Sequence, residues 1–239
     1  MKGAALLLAF ALAAAPAPGQ DFEAVFGGRY KAAVQLTRER GAVWAARCAA
    51  LGADPQTLVP VIFPELLRFS LLRSEVEMLG VATLYVQQGT RGADFSIGRF
   101  QMKPSFVETL ERGIRADTGA PPGLRVILEF PGAATERDRR AARYGRLASD
   151  DWQLTYLACF YRLVSRRFAL QDLPVEDRIR FLASAYNHGF QLDRQEIIRA
   201  EDLRCFPSGR ASGRPNPWRY TDVAVDFYER YWRPLNGYE

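Results

Sequence analysis

Cysteine and histidine are scarce in this chain of 239 residues, which has three cysteines and one histidine, His188. Cys48, Cys159 and Cys205 lie too far apart in the sequence to form a metal-binding cluster, and they allow at most one disulfide within the chain. The alternative is that Cys48 and Cys159 are small core residues on helices. A single histidine argues against a zinc hydrolase or a triad built on several histidines, so we expect no metal and no cofactor.

Apolar runs long enough to span a membrane are also missing, since about 20 residues are needed. The uncharged run over residues 4–15 is shorter, follows Lys2, and ends at Pro16 before small residues near Gly19. This order is typical of a cleavable signal peptide, predicted over residues 1–19. No cysteine follows the run to serve as a lipid anchor. We therefore expect a periplasmic or secreted protein without stable membrane insertion.

Lysine is rare as well, because Lys2, Lys31 and Lys103 are the only lysines among 32 basic residues. Arginine therefore carries the net charge of +5, and its planar fork suits carboxylates and phosphates. Outside the cytoplasm, wall glycan with its carboxylates and anionic lipid headgroups are both compatible partners. Nucleic acid is disfavoured by the export signal and by the absence of the aromatic and basic repeat of single-strand binders.

Alternating runs of the strand type are scarce, and helical spacing of apolar residues dominates. Beyond a helical segment within residues 26–51, helices are predicted over 58–69, 74–88, 103–114, 151–168, 175–187 and 222–232. The charged piece "TERDRRAARYGR" is interpreted as a solvated helix face rather than a binding patch. The predicted fold class is mainly α, with an N-terminal helical extension over residues 20–55 and a single globular domain over residues 56–239.

Three segments attract attention together: "VIFPELLRFS" around Glu65, "SIGRFQMKPSF" around Gln101 and "FLASAYNHGF" around Tyr186. In this order they resemble the lysozyme-like domain of the soluble lytic transglycosylases. That family has a catalytic Glu at a helix end, then a Gly-Leu-Met-Gln type motif and an Ala-Tyr-Asn-Ala-Gly type motif. The resemblance covers roughly residues 58–231, including a helix "DWQLTYLACFYRLVSRRF" between the motifs and a closing tyrosine-rich helix.

The resemblance implies that Glu65 is the catalytic acid and base, that Tyr186 orients it, and that Asn187 helps to hold the third motif. It assigns Gly98 a close approach of the backbone to the sugar or to the Glu. It assigns substrate binding to residues of the second and third motifs. These are Ser96, Gly98, Gln101, Met102, Tyr186 and Asn187.

The gap from Glu65 to Gly98 is longer than is usual in that family, which leaves Glu75 and Glu77 as alternative acids or as surface charges. For Glu65 itself, the alternative is a partly buried salt bridge with Arg68. Pro64 adds a further question, because proline favours the first turn of a helix, where the dipole would lower the pKa of the carboxyl. A helix that starts earlier would place Glu65 near its end.

The expected function is that of a peptidoglycan-cleaving lytic transglycosylase, because the sequence offers a single convincing acid rather than the two carboxylates of most glycosidases. A hydrolytic muramidase is the alternative within the same substrate class, with Asp94 as second carboxylate. In another class, a lysozyme-like scaffold would bind wall glycan or an envelope protein partner without cleavage. Peptidoglycan glycan strands are the expected partner in the first two cases.

Overall fold

The computed structural model describes residues 20–69, 75–208 and 217–238. These residues are mainly helical, which confirms the predicted class. The predicted signal peptide, residues 1–19, lies outside the described residues. Over the part of the chain that is described, every helix is too short or too polar to cross a membrane.

The described chain contains twelve α-helices and one short hairpin, with short 3-10 turns after α4, α6 and α8. The helices are α1 (Phe22–Phe26), α2 (Gly28–Ala50), α3 (Pro55–Phe69), α4 (Glu75–Gln88), α5 (Pro104–Ala116), α6 (Pro122–Arg125), α7 (Glu136–Leu147), α8 (Asp150–Phe168), α9 (Val175–His188), α10 (Arg194–Glu201), α11 (Tyr220–Phe227) and α12 (Arg233–Asn236). A π-helical segment, Tyr228–Trp232, joins α11 to α12 and continues the helix predicted over 222–232. The hairpin pairs β1 (Arg204–Phe206) with β2 (Trp218–Arg219) in antiparallel order.

Helix α3 occupies the centre of the fold and packs against α2, α9 and α11. Every side chain from Thr57 to Leu67 on this helix is buried, which is the pattern of a helix with neighbours on all sides. The helix begins at Pro55, where the carboxylate of Asp54 accepts the backbone N–H of Gln56 at 2.9 Å. Pro60 therefore lies inside the helix rather than at its start.

The N-terminal helices share this core. Tyr30 packs edge-on against Phe63 of α3, with ring centroids 5.1 Å apart, and Trp44 packs edge-on against Phe100 at 5.3 Å. Segment 20–55, predicted as an extension, is helical, and its large side chains lie in the same hydrophobic cluster as those of residues 56–238. One continuous core thus runs across the predicted boundary.

Helix α7 corrects one prediction from the sequence. The charged segment that forms it is not simply a solvated face, because Arg143 is 4% exposed and Arg146 is 8% exposed. Arg143 donates to both carboxylate oxygens of Glu111 at 2.8 and 2.7 Å, while Arg146 donates to the backbone carbonyls of Ile127 and Glu129. Burial is possible because each guanidinium finds acceptors, and a run of charges in sequence does not reveal such pairing.

The three cysteines are buried free thiols. Cys48 lies on α2 and Cys159 on α8, as in the interpretation that made them small core residues. Cys205 lies on β1, beside the end of α9. Among the described residues, no group of three or more His, Cys, Asp or Glu is arranged to hold a metal ion.

Candidate active site

A cavity of about 390 Å³ opens between the end of α3, the segment before α5 and the end of α9. Most of the residues predicted to form the site line it together. They are Glu65, Ser96, Gln101, Met102, Tyr186 and Asn187. The cavity is also lined by Asp94 and by the aromatic rings of Phe106 and Phe190. The segments that carry the three motifs therefore meet, although they are far apart in sequence.

Glu65 lies in the C-terminal part of α3, four residues before the helix ends at Phe69. Its side chain is 4% exposed, and it is the one charged side chain in the buried run from Thr57 to Leu67. Burial raises the pKa of Glu65 above the usual range for glutamate, and this effect outweighs the opposing influence of Arg68 and Tyr220. The nearby helix C-terminus also disfavours the carboxylate. The early start of α3 thus removes the concern raised by Pro64.

The Arg68 guanidinium forms an ion pair with Glu65, with 2.8 Å between Nη1 and Oε1. The same Nη1 donates to Oδ1 of Asn187 at 3.0 Å, so one nitrogen joins α3 to the end of α9. Nε donates to the Pro207 carbonyl at 2.9 Å, and the guanidinium stacks over Phe206 at 5.1 Å. Arg68 is therefore held by the hairpin as well as by Glu65. The salt-bridge alternative considered for Glu65 is present in the structure.

Two tyrosines lie close to Glu65. The hydroxyl of Tyr220 donates to the Val61 carbonyl at 2.9 Å and is within hydrogen-bonding range of the Glu65 carboxyl. A phenol has one hydrogen, so Tyr220 can donate it either to the Val61 carbonyl or to the Glu65 carboxylate, and the second bond would lower the pKa of Glu65. Burial, followed by the charge of Glu65, raises the pKa of Tyr220 well above its usual value. This environment favours the neutral form of each group.

Tyr186 corrects the role implied by the family resemblance. Its hydroxyl donates to the carbonyl of Phe100 at 2.7 Å, so its single hydrogen is not available to Glu65. The ring packs edge-on against Phe106 and Phe160, with centroids 5.3 and 5.5 Å away. Tyr186 thus fastens the end of α9 to the segment that carries Gln101. Arg68 and Tyr220 contact Glu65 instead. The salt bridge with Arg68 was the alternative considered for Glu65, and Tyr220 was not among the predicted site residues.

The segment from Ile97 to Met102 is a tight turn closed by an antiparallel bridge between these two residues. Gly98 and Gln101 have positive φ angles of 68° and 53°. The Gln101 amide donates to the Gly98 carbonyl at 2.7 Å, which uses one of its N–H groups inside the turn. Its remaining polar atoms are those that can face the cavity.

Gly98 does not line the cavity, contrary to the prediction that it contacts the sugar or the Glu. A Cβ atom at this position would lie 2.3 Å from the carbonyl oxygen of Leu147 and 2.4 Å from Nε2 of Gln153. The close approach that glycine permits is therefore to α7 and α8, behind the cavity wall. Gln153 also donates to the Ile97 carbonyl at 2.7 Å and accepts the Phe100 N–H at 2.9 Å. This buried glutamine, missed in the sequence, holds the turn in place.

Asp94 is the second carboxylate of the cavity, but it is occupied. One oxygen accepts the backbone N–H of Ser105 at 2.9 Å, and the other accepts the Ser105 hydroxyl at 2.7 Å. These bonds satisfy a free N–H at the start of α5, as a capping residue does. The side chains of Glu75 and Glu77, the alternative acids, lie outside the described residues.

The end of α9 joins the cavity to the hairpin. Asn187 donates to the Cys205 thiol at 3.2 Å, and Nε2 of His188 lies 3.6 Å from the same sulfur. Gly189 then ends the helix with a φ of 123°, a conformation that glycine adopts without strain. Asn187 thus holds the third motif in place, through Arg68 on one side and Cys205 on the other.

No family model, no curated protein and no solved structure matches this chain.

Proposed function

We propose that this chain is an exported lytic transglycosylase that cleaves the β-1,4 bond between N-acetylmuramic acid and N-acetylglucosamine in peptidoglycan strands. Glu65 is the single acid and base in this proposal. The observation that carries it is a carboxyl that is 4% exposed, has a raised pKa, and opens on a cavity of polar and aromatic side chains that also includes the charged residues Arg68, Asp94 and Lys103. Burial favours the protonated form of such a carboxyl, which is the form that a general acid needs.

The reaction needs two proton transfers, both at Glu65. The protonated carboxyl gives its proton to the glycosidic oxygen as the bond to the anomeric carbon breaks. The resulting carboxylate then takes the proton from the 6-hydroxyl of the same muramic acid, and the hydroxyl oxygen bonds to the anomeric carbon. The product is an anhydro end, and the carboxyl returns to its protonated state without water or an enzymic nucleophile.

Arg68 has a place in this cycle. Its guanidinium is 2.8 Å from the Glu65 carboxyl and stabilises the carboxylate that exists between the two transfers. Because the hairpin carbonyls and the Phe206 ring also hold Arg68, the charge stays in position while the carboxyl changes state. Burial still has the larger effect on the Glu65 pKa, which favours the protonated form needed for the first transfer.

Asp94 argues against the hydrolytic muramidase. A second carboxylate that activates water must be oriented toward the substrate, as in inverting glycosidases. Both oxygens of Asp94 accept hydrogen bonds from Ser105 at 2.9 and 2.7 Å. These hydrogen bonds hold Asp94 at the start of α5, which favours the transglycosylase mechanism with Glu65 as its single catalytic carboxyl.

A second candidate function is a non-catalytic protein that binds wall glycan or an envelope protein partner. The ion pair between Glu65 and Arg68 favours it, because a carboxylate paired at 2.8 Å is a stable structural contact that gives up no proton. The cavity would then bind acetamido and hydroxyl groups through Gln101. The two candidates share the ligand and differ in turnover.

Purified peptidoglycan incubated with the wild type, Glu65→Gln and Glu39→Gln separates the candidates. Glu39 is an exposed carboxylate on α2, so its variant matches the charge change away from the cavity. We expect anhydro ends by mass spectrometry with the wild type and Glu39→Gln, and a loss of at least about 100-fold in rate with Glu65→Gln.

Other outcomes reject the proposal in distinct ways. Equal turnover by all three proteins assigns the acid elsewhere. Turnover without anhydro ends indicates a muramidase. Binding to peptidoglycan by the wild type without any product supports the binding protein.

A further inference from the structure

A second cavity lies on another face of the molecule, between the end of α4, the outer face of α5 and α7, and it is larger than the first, at about 570 Å³. Its wall is unusual in charge, with six arginines, three glutamates, and neither lysine nor aspartate. The arginines are Arg91, Arg112, Arg115, Arg139, Arg140 and Arg143. The resulting charge of the wall is +3.

The floor of this cavity has one arginine and two glutamates, so its formal charge is −1. Arg143 is buried and bonded through two nitrogens to Glu111, and its Nη1 also donates to the hydroxyl of Tyr85 at 2.8 Å. Glu108 lies 3.4 Å from Arg143 and accepts the Tyr85 hydroxyl at 2.9 Å. Two of the three glutamates are thus committed to Arg143. This network joins α4, α5 and α7 and fixes the shape of the cavity.

The rim has the excess of positive charge. Arg140 is anchored by donating to the carbonyls of Val86 and Gln87 at 2.9 and 3.0 Å, which uses two of its five N–H groups. Arg139 pairs with Glu136 only at 3.8 Å, and both side chains are more than half exposed. Arg91 and Arg115 have no acidic partner among the described residues.

We propose that this cavity binds a compact ligand with at least two negative charges on phosphate or carboxylate groups. Several guanidinium forks around one concave space match such groups better than separate surface charges do, because each fork can bind two oxygens of one anion. The cavity has the volume of a small-molecule site, and a concave wall suits a compact anion rather than a flat membrane surface. Leu128 and Phe130 provide one apolar wall for the body of the ligand.

Calorimetric titration of the full chain with pyrophosphate and with citrate tests this proposal without reference to turnover. We expect saturable binding at one site by at least one of them, and the tighter of the two identifies the preferred group. In the variant Arg115→Gln/Arg139→Gln, affinity falls by about tenfold or more, because charge-assisted hydrogen bonds are lost. Affinity also falls as salt is added.

Arg40→Gln is the matched control, since Arg40 is an exposed arginine on α2 away from this cavity. Its affinity for the anion should equal that of the wild type. No saturable binding of either anion up to about 10 mM overturns the proposal, as does equal binding by the double variant. Binding to vesicles with anionic lipid, without binding of either small anion, also overturns it and assigns the arginines to a membrane surface.

Discussion

The replacement of Gly98 by alanine tests whether this residue packs behind the cavity rather than against a ligand. The conformational cost of a positive φ, here 68°, is about 1 to 2 kcal/mol for a residue with a Cβ atom. The new methyl group would lie 2.3 Å from the Leu147 carbonyl, a backbone atom that has no rotamer to change. The turn must then shift away from α7 and α8.

That shift weakens the two hydrogen bonds that Gln153 makes to the turn, at 2.7 and 2.9 Å. Each buried bond contributes about 1 kcal/mol. Together with the conformational cost, Gly98→Ala should lower the free energy of unfolding by about 3 to 4 kcal/mol. For a chain of this size the melting temperature would fall by about 10 °C.

Gly132→Ala is the matched control, because Gly132 also has a positive φ, of 77°, and no atom lies within 4 Å of its Cβ position. This variant should lower the free energy of unfolding only by the conformational cost of the positive φ, about 1 to 2 kcal/mol. Urea denaturation followed by circular dichroism measures both variants. If Gly98→Ala is no less stable than Gly132→Ala, the predicted contact with α7 does not exist and the assignment of Gly98 to packing is wrong.

Three further predictions concern buried groups. Burial raises the pKa of Glu201 from 4.5 to about 7, so the unfolded chain loses this proton first as the pH rises, and the contribution of Glu201 to the free energy of unfolding is lost between these pH values. Glu201→Gln should therefore reduce the fall of the free energy of unfolding over this pH range, as measured by urea denaturation. An unchanged pH dependence contradicts the prediction. Arg143→Met leaves Glu111 buried without its partner and should lower the free energy of unfolding by about 3 to 5 kcal/mol. The double variant Arg143→Met/Glu111→Leu should recover most of this loss. A double variant that is no more stable than Arg143→Met contradicts the prediction. Burial raises the pKa of Cys48 and Cys159 to about 12, so both thiols should resist Ellman's reagent at pH 8 until urea is added. Because Cys205 is a third free thiol, prompt labelling of more than one thiol per folded chain contradicts the burial of these two.

The helices could be predicted from the sequence because their signals are local. The run from Leu58 to Leu67 is apolar almost throughout, and it forms the buried helix at the centre of the fold. The helix predicted over 175–187 ends one residue later, at His188, because Gly189 stops it. The predicted start of α3, at residue 58, lies three residues after the observed start at Pro55. Apolar periodicity does not detect a helix start formed by Asp54 and Pro55.

The site could be predicted only in part, because its contacts join distant segments. Helical spacing places Tyr186 on the same face as Ile179 and Leu182, and its ring packs inside, against Phe106 and Phe160. The partner of its hydroxyl, the Phe100 carbonyl, is 86 positions away in sequence and could not be read from spacing. The same holds for Gln153, a polar residue on a predicted helix whose two bonds fix the turn at Gly98.

Arg68 shows most clearly what sequence spacing leaves undecided. A Glu and an Arg three positions apart on a helix can always pair, and on a surface such a pair contributes a few tenths of a kcal/mol. Here the hairpin, more than 130 positions away, holds the guanidinium through the Pro207 carbonyl, so Arg68 has a fixed position whatever the state of Glu65. The pair is therefore compatible with a carboxyl that gives and recovers a proton. Burial outweighs Arg68 in its effect on the pKa of Glu65, which favours the protonated form of the carboxyl.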